Sequence, residues 1–552
     1  MDNTRLILII ALVGILFLIY SAWVEDYGPV AQVATAPSST TSVMTSSPDA
    51  PPMTTAVASP LATDELTVNT VKQQLIQVET DLFKIEISPY GGTISNIWLL
   101  DYAQKADAPT TKFQLLKSEV PNMFIVQSGL YGAVDKQLPT HNSLFSTAKN
   151  RYQLTEGENA LTVELYWDND SGIQVIKRYR FERGQYVVTM TQEVINRTEK
   201  PLVVRAYDQL QRSELHDVDQ SRFVSTYTGS VYYGPEQKYK KKSFDEMKEQ
   251  TLNVVITDGW IAMIQHYFMA AWIPPTGQPQ TFYTKVINTD GNDRYIIGKY
   301  TETIEVSPIA NYQFTNRLFV GPKLQDTLAQ VAPGLGLAVD YGWLTIIAEP
   351  IFWLLEKLYY LFGNWGWAII VLTILIKLAF YKLSETSYKS MANMRKLTPR
   401  MKAIKDRYGD DKERLNQALM ELYKKEKINP LNGCLPIFVQ IPVFIALYWV
   451  LLESVELRHA PFVLWLDNLT SPDPYYILPL IMGISMFVQQ KLNPPPPDPM
   501  QEKIMLTLPV VFTIFFAFFP SGLVLYWTVN NLLSIAQQWY ITDSIEKGVA
   551  KH

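Results

Sequence analysis

Apolar residues gather in two regions of this chain, near the N-terminus and beyond about residue 340, and the stretch between them is polar on average. The first region, Leu6 to Val24, is long enough to span a bilayer as a helix rising about 1.5 Å per residue. It ends Tyr20-Ser21-Ala22-Trp23-Val24, a poor small-residue cleavage site, which favours an uncleaved anchor over a removed signal peptide. From about Gln32 to Thr63 the chain is rich in Ala, Ser, Thr and Pro without an apolar period, and reads as a flexible tether. The pattern then changes to period two. Phe83-Lys84-Ile85-Glu86-Ile87-Ser88 and Thr93-Ile94-Ser95-Asn96-Ile97-Trp98 alternate on either side of the turn Pro89-Tyr90-Gly91-Gly92. Leu161 to Trp167, Ile173 to Phe181 and Tyr186 to Ile195 continue the alternation, with polar turns between them. Together they predict a large antiparallel β-sandwich from about Asp64 to Gly321, followed by a short helical tail over Pro322 to Val331.

Beyond residue 340 the apolar runs lengthen. Trp343 to Phe362 contains Glu349, Pro350, Glu356 and Lys357 and is rich in aromatic residues, which suits an amphipathic helix lying in a membrane interface better than a span. Five candidate spans follow, at Trp365–Leu383, Leu435–Leu452, Tyr476–Gln490, Ile504–Phe519 and Leu523–Tyr540. Several run to only about 15–18 residues, near or below the usual lower limit. Only Pro520-Ser521-Gly522 separates the last two, so they form a tight hairpin. With Leu6 to Val24 the count is six.

Charge placement orients these spans; the net charge of -5 says nothing about partners. The segment from Lys382 to Lys427 carries 13 Lys and Arg residues, which places it in the cytoplasm. The loop Glu453 to Asp473 holds Glu453, Glu456, Asp467 and Asp473 against Arg458 and suits the outer side. Both termini are then cytoplasmic and the sandwich lies outside, which means periplasmic in a double-membrane bacterium, where the chain is expected in the inner membrane. Within the cationic segment, Met394, Leu397, Met401, Ile404 and Tyr408 form a seam at alternating three- and four-residue spacing, and Leu415, Leu419 and Leu422 continue it after the turn Tyr408-Gly409-Asp410-Asp411. This predicts a helical hairpin kinked at Pro399. Its cations Arg395, Lys396, Arg400, Lys402, Lys405 and Arg407 have two readings of equal weight: a solvated face, or a dock for anionic lipid, ribosomal RNA or a targeting factor.

Polar groups inside the spans are the candidate site. Lys377 lies within an otherwise apolar run, one turn after Thr373. An ammonium group at mid-membrane costs several kcal/mol or more. It therefore faces a wet cavity, or it snorkels toward the interface near Lys382, about 7.5 Å further along the helix. Gln440 sits between Pro436 and Pro442, and the last span carries Thr528, Asn530, Asn531, Ser534, Gln537 and Gln538. Interhelical packing bonds explain many of these. No Asp or Glu lies deep in the spans to neutralise Lys377, which points to a wet cavity of positive potential that attracts acidic client segments.

Other chemistry has little support. Cys434 is the one cysteine, so no intrachain disulfide forms, and its apolar setting reads as an inert buried thiol. His141, His216 and His266 lie in the sandwich region, with Asp217 and Asp219 beside His216, but no metal-ligand spacing is present. The rivals are a polytopic transporter, which would show repeats or a pore of ionisable residues, and a sugar-active enzyme built on the sandwich.

Several motifs are similar to those of the YidC membrane-insertase family, which includes the mitochondrial Oxa and chloroplast Alb proteins. They are Asn364-Trp365-Gly366; Asn429-Pro430-Leu431 with Gly433-Cys434-Leu435-Pro436; Gln440-Ile441-Pro442; Asp473-Pro474-Tyr475-Tyr476-Ile477-Leu478-Pro479; and Phe519-Pro520-Ser521-Gly522-Leu523-Val524-Leu525-Tyr526-Trp527. The resemblance covers essentially the whole chain and takes the Gram-negative form. It implies five core helices around a hydrophilic groove open to the cytoplasm and sideways to lipid. Lys377 stands where the family usually has Arg, a point charge in place of a bidentate fork. Thr373, Gln440, Asn530 and Ser534 join it in the implied groove. Phe444, Met482, Phe515, Tyr526 and Trp527 map to the client-contact surface, Trp527 replacing a Tyr common among relatives. The implied partners are nascent membrane proteins, the Sec translocon, the ribosome and targeting factors, and the phospholipid bilayer. No covalent catalysis, metal or cofactor is implied.

The expected architecture is a polytopic α-helical membrane protein with six transmembrane helices, a large periplasmic antiparallel β-sandwich and a cytoplasmic helical hairpin. Its parts are an anchor (1–27), a linker (28–63), the sandwich domain (64–340), an interfacial helix (341–363), a core (364–545) that includes the hairpin (384–430), and a short tail (546–552).

Overall fold

A computed structural model of the chain describes residues 49–51, 74–132, 137–214, 226–289, 291–409, 411–426, 435–493 and 499–546. The run Leu6 to Val24, most of the tether, His216, Asp217, Asp219, the Asn429-Pro430-Leu431 motif, Cys434 and residues 547–552 lie outside these.

The period-two segments fold as strands. Ile173–Glu182 and Val187–Asn196 pair antiparallel, and each buries alternate residues, because successive side chains of a strand face opposite sides. Among the described residues the strands form two sheets of eleven and nine members, packed through an apolar core that includes Ile85, Val126, Val163, Val188, Leu210 and Trp272. One pair departs from the expected antiparallel rule: Ile76–Glu79 runs parallel to Arg151–Gln153 at a sheet edge. These two strands are far apart in sequence, so no tight turn fixes their relative direction. A short helix, α1 (Phe244–Glu249), lies beside the sheet with Ser243 and Glu246 forming its capping box.

The sandwich core also buries charge. Lys299 Nζ lies 2.7 Å from Asp208 Oδ2 and donates to Asn316 Oδ1 at 2.9 Å, and Asn316 Nδ2 returns a 2.9 Å bond to Asp208. Lys177 Nζ donates to the Gly91 carbonyl and to both oxygens of Ser128, and burial pushes its amine down to about 7.

The helical part begins with α2 (Gln325–Val331), within the predicted tail, and α3 (Thr345–Phe362). Helix α3 buries Ala348, Ile351, Phe352, Leu355 and Leu358 and exposes Glu349 and Lys357 together with Ile346, Trp353 and Tyr360, so its outward face mixes charged and apolar side chains. Then follow α4 (Trp365–Ala379), α5 (Tyr381–Tyr408), α6 (Lys412–Lys425), α7 (Leu435–Glu453), α8 (Ile477–Leu492), α9 (Pro499–Phe516) and α10 (Ser521–Glu546). Five of these, α4 and α7 to α10, coincide with the five candidate core spans. Among the described residues, no single helix is long and apolar enough to cross a membrane by itself; α4 and α5 satisfy length and composition together, bent by 67° at their junction. The bend falls at Phe380, while α5 continues through Pro399, where the sequence predicts the kink. Leu397, Met401 and Ile404 of α5 meet Leu415, Leu419 and Leu422 of α6, as the seam predicts; Met394 and Tyr408 stay outside this cluster.

One loop fixes the order of the helix ends. Asn364 caps α4 by accepting from Gly366 and Trp367 N–H, while its Nδ2 donates to the carbonyls of Pro461 and Phe462. Asp473 accepts from Trp465 Nε1 and from the backbone N–H of Tyr475 and Leu478 at the start of α8. Ser521 and Gly522 at the start of α10 donate to the carbonyls of Ser471 and Leu469. The starts of α4, α8 and α10 and the end of α7 therefore meet at residues 453–473. The α5–α6 hairpin leaves from the opposite end of α4.

The same loop holds the sandwich. Buried Lys323 pairs with Glu453 at 3.1 Å. His266 Nε2 donates to the Leu452 carbonyl at 2.8 Å, and burial pushes this imidazole down to about 4, so it is neutral. Arg458 donates to the carbonyls of Ala103 and Gln104 and stands 5.3 Å over the rings of Phe113 and Phe268. Glu456 lies in this junction with Oε2 unpaired, and burial, together with Glu356 and Asp326, pushes its carboxyl from 4.5 up to about 7. A folded carboxyl raised in this way binds its proton more tightly than the unfolded one, so its contribution is intact at low pH and is lost as pH rises through about 7. Glu456→Gln is expected to stabilise the protein by about 1–3 kcal/mol at pH 8 and by almost nothing at pH 4, measured by thermal unfolding at both values.

Candidate functional site

Helices α4, α5, α7 and α10 surround an open recess of about 350 Å³, solvent at its mouth included, lined by residues that include Lys377, Phe380, Ser384, Gln440, Val443 and Asn530. Lys377 sits on the last turn of α4 and its Nζ donates to Ser534 Oγ of α10 at 2.7 Å. Ser534 in turn donates to the Asn530 carbonyl at 2.7 Å, so its lone pairs are free to receive the ammonium group. Among the described residues no charged group bears on Lys377. A cation held by a hydroxyl, with a carboxamide from each of two helices nearby, is a site for an anionic or strongly polar group arriving from outside.

The structure brings four of the five predicted groove residues together: Lys377, Gln440 and Asn530 line the recess, and Ser534 holds the lysine. Thr373 is the exception. It is fully buried and donates to the Ile369 carbonyl of its own helix at 2.7 Å, the usual fate of a threonine inside an apolar helix. Two other polar residues of the last span serve packing. Asn531 donates to Ser485, and Gln538 to the Leu492 carbonyl and Asn493, tying α10 to α8 and its end.

The predicted client-contact surface divides in two. Phe444 and Trp527 are half-buried with ring centroids 4.5 Å apart, and Phe515 is 44% exposed. Met482 and Tyr526 are enclosed, at 0% and 1% exposure, so both belong to the helical core and offer no open surface. Both stand one or two turns along helices that start at the loop 453–473, where packing is dense. Ser384 and Phe380 were not apparent from the sequence as recess residues, because the bend at Phe380 that turns them toward α7 and α10 has no proline or glycine to mark it.

On the hairpin, Arg395, Lys396, Arg400, Lys402 and Arg407 are exposed and Lys405 is half-buried. Arg400 is engaged with Glu426 at 2.6 Å across the hairpin, and Arg407 lies over the Tyr408 ring. The sandwich histidines have structural partners. His141 contacts Tyr207 and Asp49, and His266 contacts the Leu452 carbonyl. Among the described residues no cluster of His, Cys, Asp and Glu could hold a metal ion.

Two family models match the chain: the YidC periplasmic domain over residues 75–354 and the 60Kd inner membrane protein over residues 357–548. A protein of Nitrosococcus oceani named membrane protein insertase YidC is 49% identical over 556 residues, covering 99% of this chain and 100% of its own length. Its namesake in Methylococcus capsulatus is 48% identical over 553 residues, covering 100% of both. A crystal structure described as an active YidC insertase with its first transmembrane domain resolved covers 85% of this chain and 93% of its own, with 19% identity and a TM-score of 0.39.

Close contacts pack the helices away from the recess. A Cβ at Gly483 of α8 would collide with Thr513 of α9, and one at Gly366 of α4 with the Phe462 ring. Gly483→Ala is expected to lower stability by about 1–3 kcal/mol through overpacking. Thermal unfolding of the detergent-solubilised protein checks this.

Proposed function

The chain belongs to the YidC membrane insertase family, and from that premise we propose that it inserts nascent membrane proteins into the bacterial inner membrane and helps them fold, without covalent chemistry. The observation that carries this reading is Lys377, whose amine is held by the Ser534 hydroxyl with no carboxylate partner among the described residues.

The outer surface of the helical part supports a lipid setting. Ile484, Ile514, Val510, Ile504 and Leu480 are all more than half exposed, an apolar girdle suited to lipid. The six-span arrangement has the anchor Leu6 to Val24, α4 and α7 to α10 crossing the bilayer, both termini in the cytoplasm, the sandwich in the periplasm and α3 in the interface. Two observations support it: the concentration of Lys and Arg on the hairpin, and the packing of loop 453–473 against the sandwich, which puts both on one side.

A client's polar flank enters the recess from the cytoplasm and meets Lys377, Gln440, Asn530 and Ser534. Helix α4 is 15 residues long, about 22 Å, against a hydrocarbon core of about 30 Å. A bilayer thinned around such short helices leaves the flank less apolar distance to cross. The client's apolar segment then slides past Phe444, Phe515 and Trp527 into lipid, driven by about 0.8 kcal/mol per buried CH2. The membrane potential, positive outside, assists an acidic flank. The hairpin cations receive the ribosome, a targeting factor or anionic lipid, and the protein works alone or with the Sec translocon.

Lipid vesicles containing only this protein provide the test: it should accelerate insertion of a small single-span client, and failure to do so rejects autonomous insertion. For the recess, Lys377→Arg should be tolerated, while Lys377→Ala should slow insertion of clients with acidic flanks about tenfold, the equivalent of 1.4 kcal/mol, and spare neutral ones. Equal rates for acidic and neutral flanks in Lys377→Ala would reject the attractive role of the charge.

A further inference from the structure

The sandwich carries a second built site, away from the recess, and part of the chain itself occupies it. Residues Asp49, Ala50 and Pro51 lie on one face of the eleven-stranded sheet. The His141 imidazole meets the Asp49 carboxylate with Nε2 2.8 Å from Oδ2. Gln209 Nε2 donates to the Asp49 carbonyl at 3.1 Å, and Lys285 Nζ donates to the Ala50 carbonyl at 2.8 Å. Ala50 is 3% exposed and Pro51 is buried.

The receiving face is preorganised. On adjacent strands Tyr207 pairs with Gly129, and Tyr283 with Gly298. A Cβ at either glycine would collide with the tyrosine ring, so each ring lies across a strand that has no side chain there. Their hydroxyls fix the polar groups. Tyr283 donates to Gln209 Oε1 at 2.6 Å, which aims Gln209 Nε2 outward, and Tyr207 holds His141 Nδ1 at 2.6 Å, which turns Nε2 toward Asp49. Tyr207 and Tyr283 form an apolar cluster with Ile296 and Tyr300, separate from the core between the sheets.

We propose that this face is a peptide-binding site for an acidic residue followed by small or proline residues, and that its occupant is the tether segment Asp49-Ala50-Pro51, docked in cis. The contacts read a polypeptide: two successive backbone carbonyls and one carboxylate are bound, and the two residues that follow the carboxylate are small enough to be buried. Proline has no N–H, so Pro51 enters without leaving a buried donor unpaired. Docking joins the chain to the sandwich at residues 49–51, well before residue 74 in sequence.

The full chain in lipid nanodiscs provides the test, with a dye-labelled Ser-Ser-Pro-Asp-Ala-Pro-Pro-Met peptide, matching residues 46–53, as the probe and fluorescence anisotropy as the readout. Asp49→Lys should empty the face and bind the peptide at least about tenfold more tightly than the natural chain, whose own segment competes at an effective concentration of about millimolar. In that background Lys285→Met should weaken the peptide about tenfold through loss of a charge-assisted hydrogen bond, and Lys285→Arg should retain it. Unchanged melting temperatures establish that the variants are folded. Equal affinity of the natural and Asp49→Lys chains overturns docking in cis. No binding to Asp49→Lys at about millimolar peptide overturns the site itself, and displacement of the peptide by a free hexose overturns its assignment to polypeptide.

Discussion

An ammonium group placed among apolar helices must be solvated by something, because lipid offers no partner and an unsatisfied charge there costs several kcal/mol or more. The surroundings of Lys377 follow from that constraint. Its amine reaches Ser534, and Gln440 and Asn530 bring carboxamides to the same recess from helices on either side. The bend of 67° at Phe380 then matters, since it turns α5 away and lets Ser384 line the opening. A straight continuation of α4 would carry that side chain elsewhere. The recess is thus the product of one half-buried cation, its polar neighbours and one bend.

The opposite end of the helices answers a different demand, rigidity. Asn364 and Asp473 each do two jobs there, capping a helix and binding the loop 453–473. That loop also carries Glu453 and Arg458 into the sandwich. The buried Lys323–Glu453 pair and the Arg458 contacts make the sandwich continuous with the helices, so a load on one is felt by the other. The polar recess opens at the far end, away from this dense packing. Such a division gives a fixed base and a receptive end to the same short helices.

The tether shows how a low-complexity segment acquires a defined role. Its composition implies flexibility, yet a tripeptide within it meets a face prepared by two tyrosine–glycine pairs. The pattern of Ala, Ser, Thr and Pro gives no hint of which residues dock, since the specificity lies in the partner surface and not in the segment.

Much of the fold was legible in one dimension. Period-two alternation marked the strands Ile173–Glu182 and Val187–Asn196, and the spacing of Leu397, Met401 and Ile404 marked the hairpin seam, because periodicity reports the face that is buried. Apolar runs located α4 and α7 to α10, and the lone Lys377 among them marked the recess. Three-dimensional packing decided the rest. The parallel edge pair, the bend at Phe380, and the enclosure of Thr373, Met482 and Tyr526 all depend on neighbours distant in sequence. A residue's chemistry can be read from its identity, but whether that chemistry is spent on its own helix, as with Thr373, or offered to a cavity, as with Lys377, depends on which helices pack beside it.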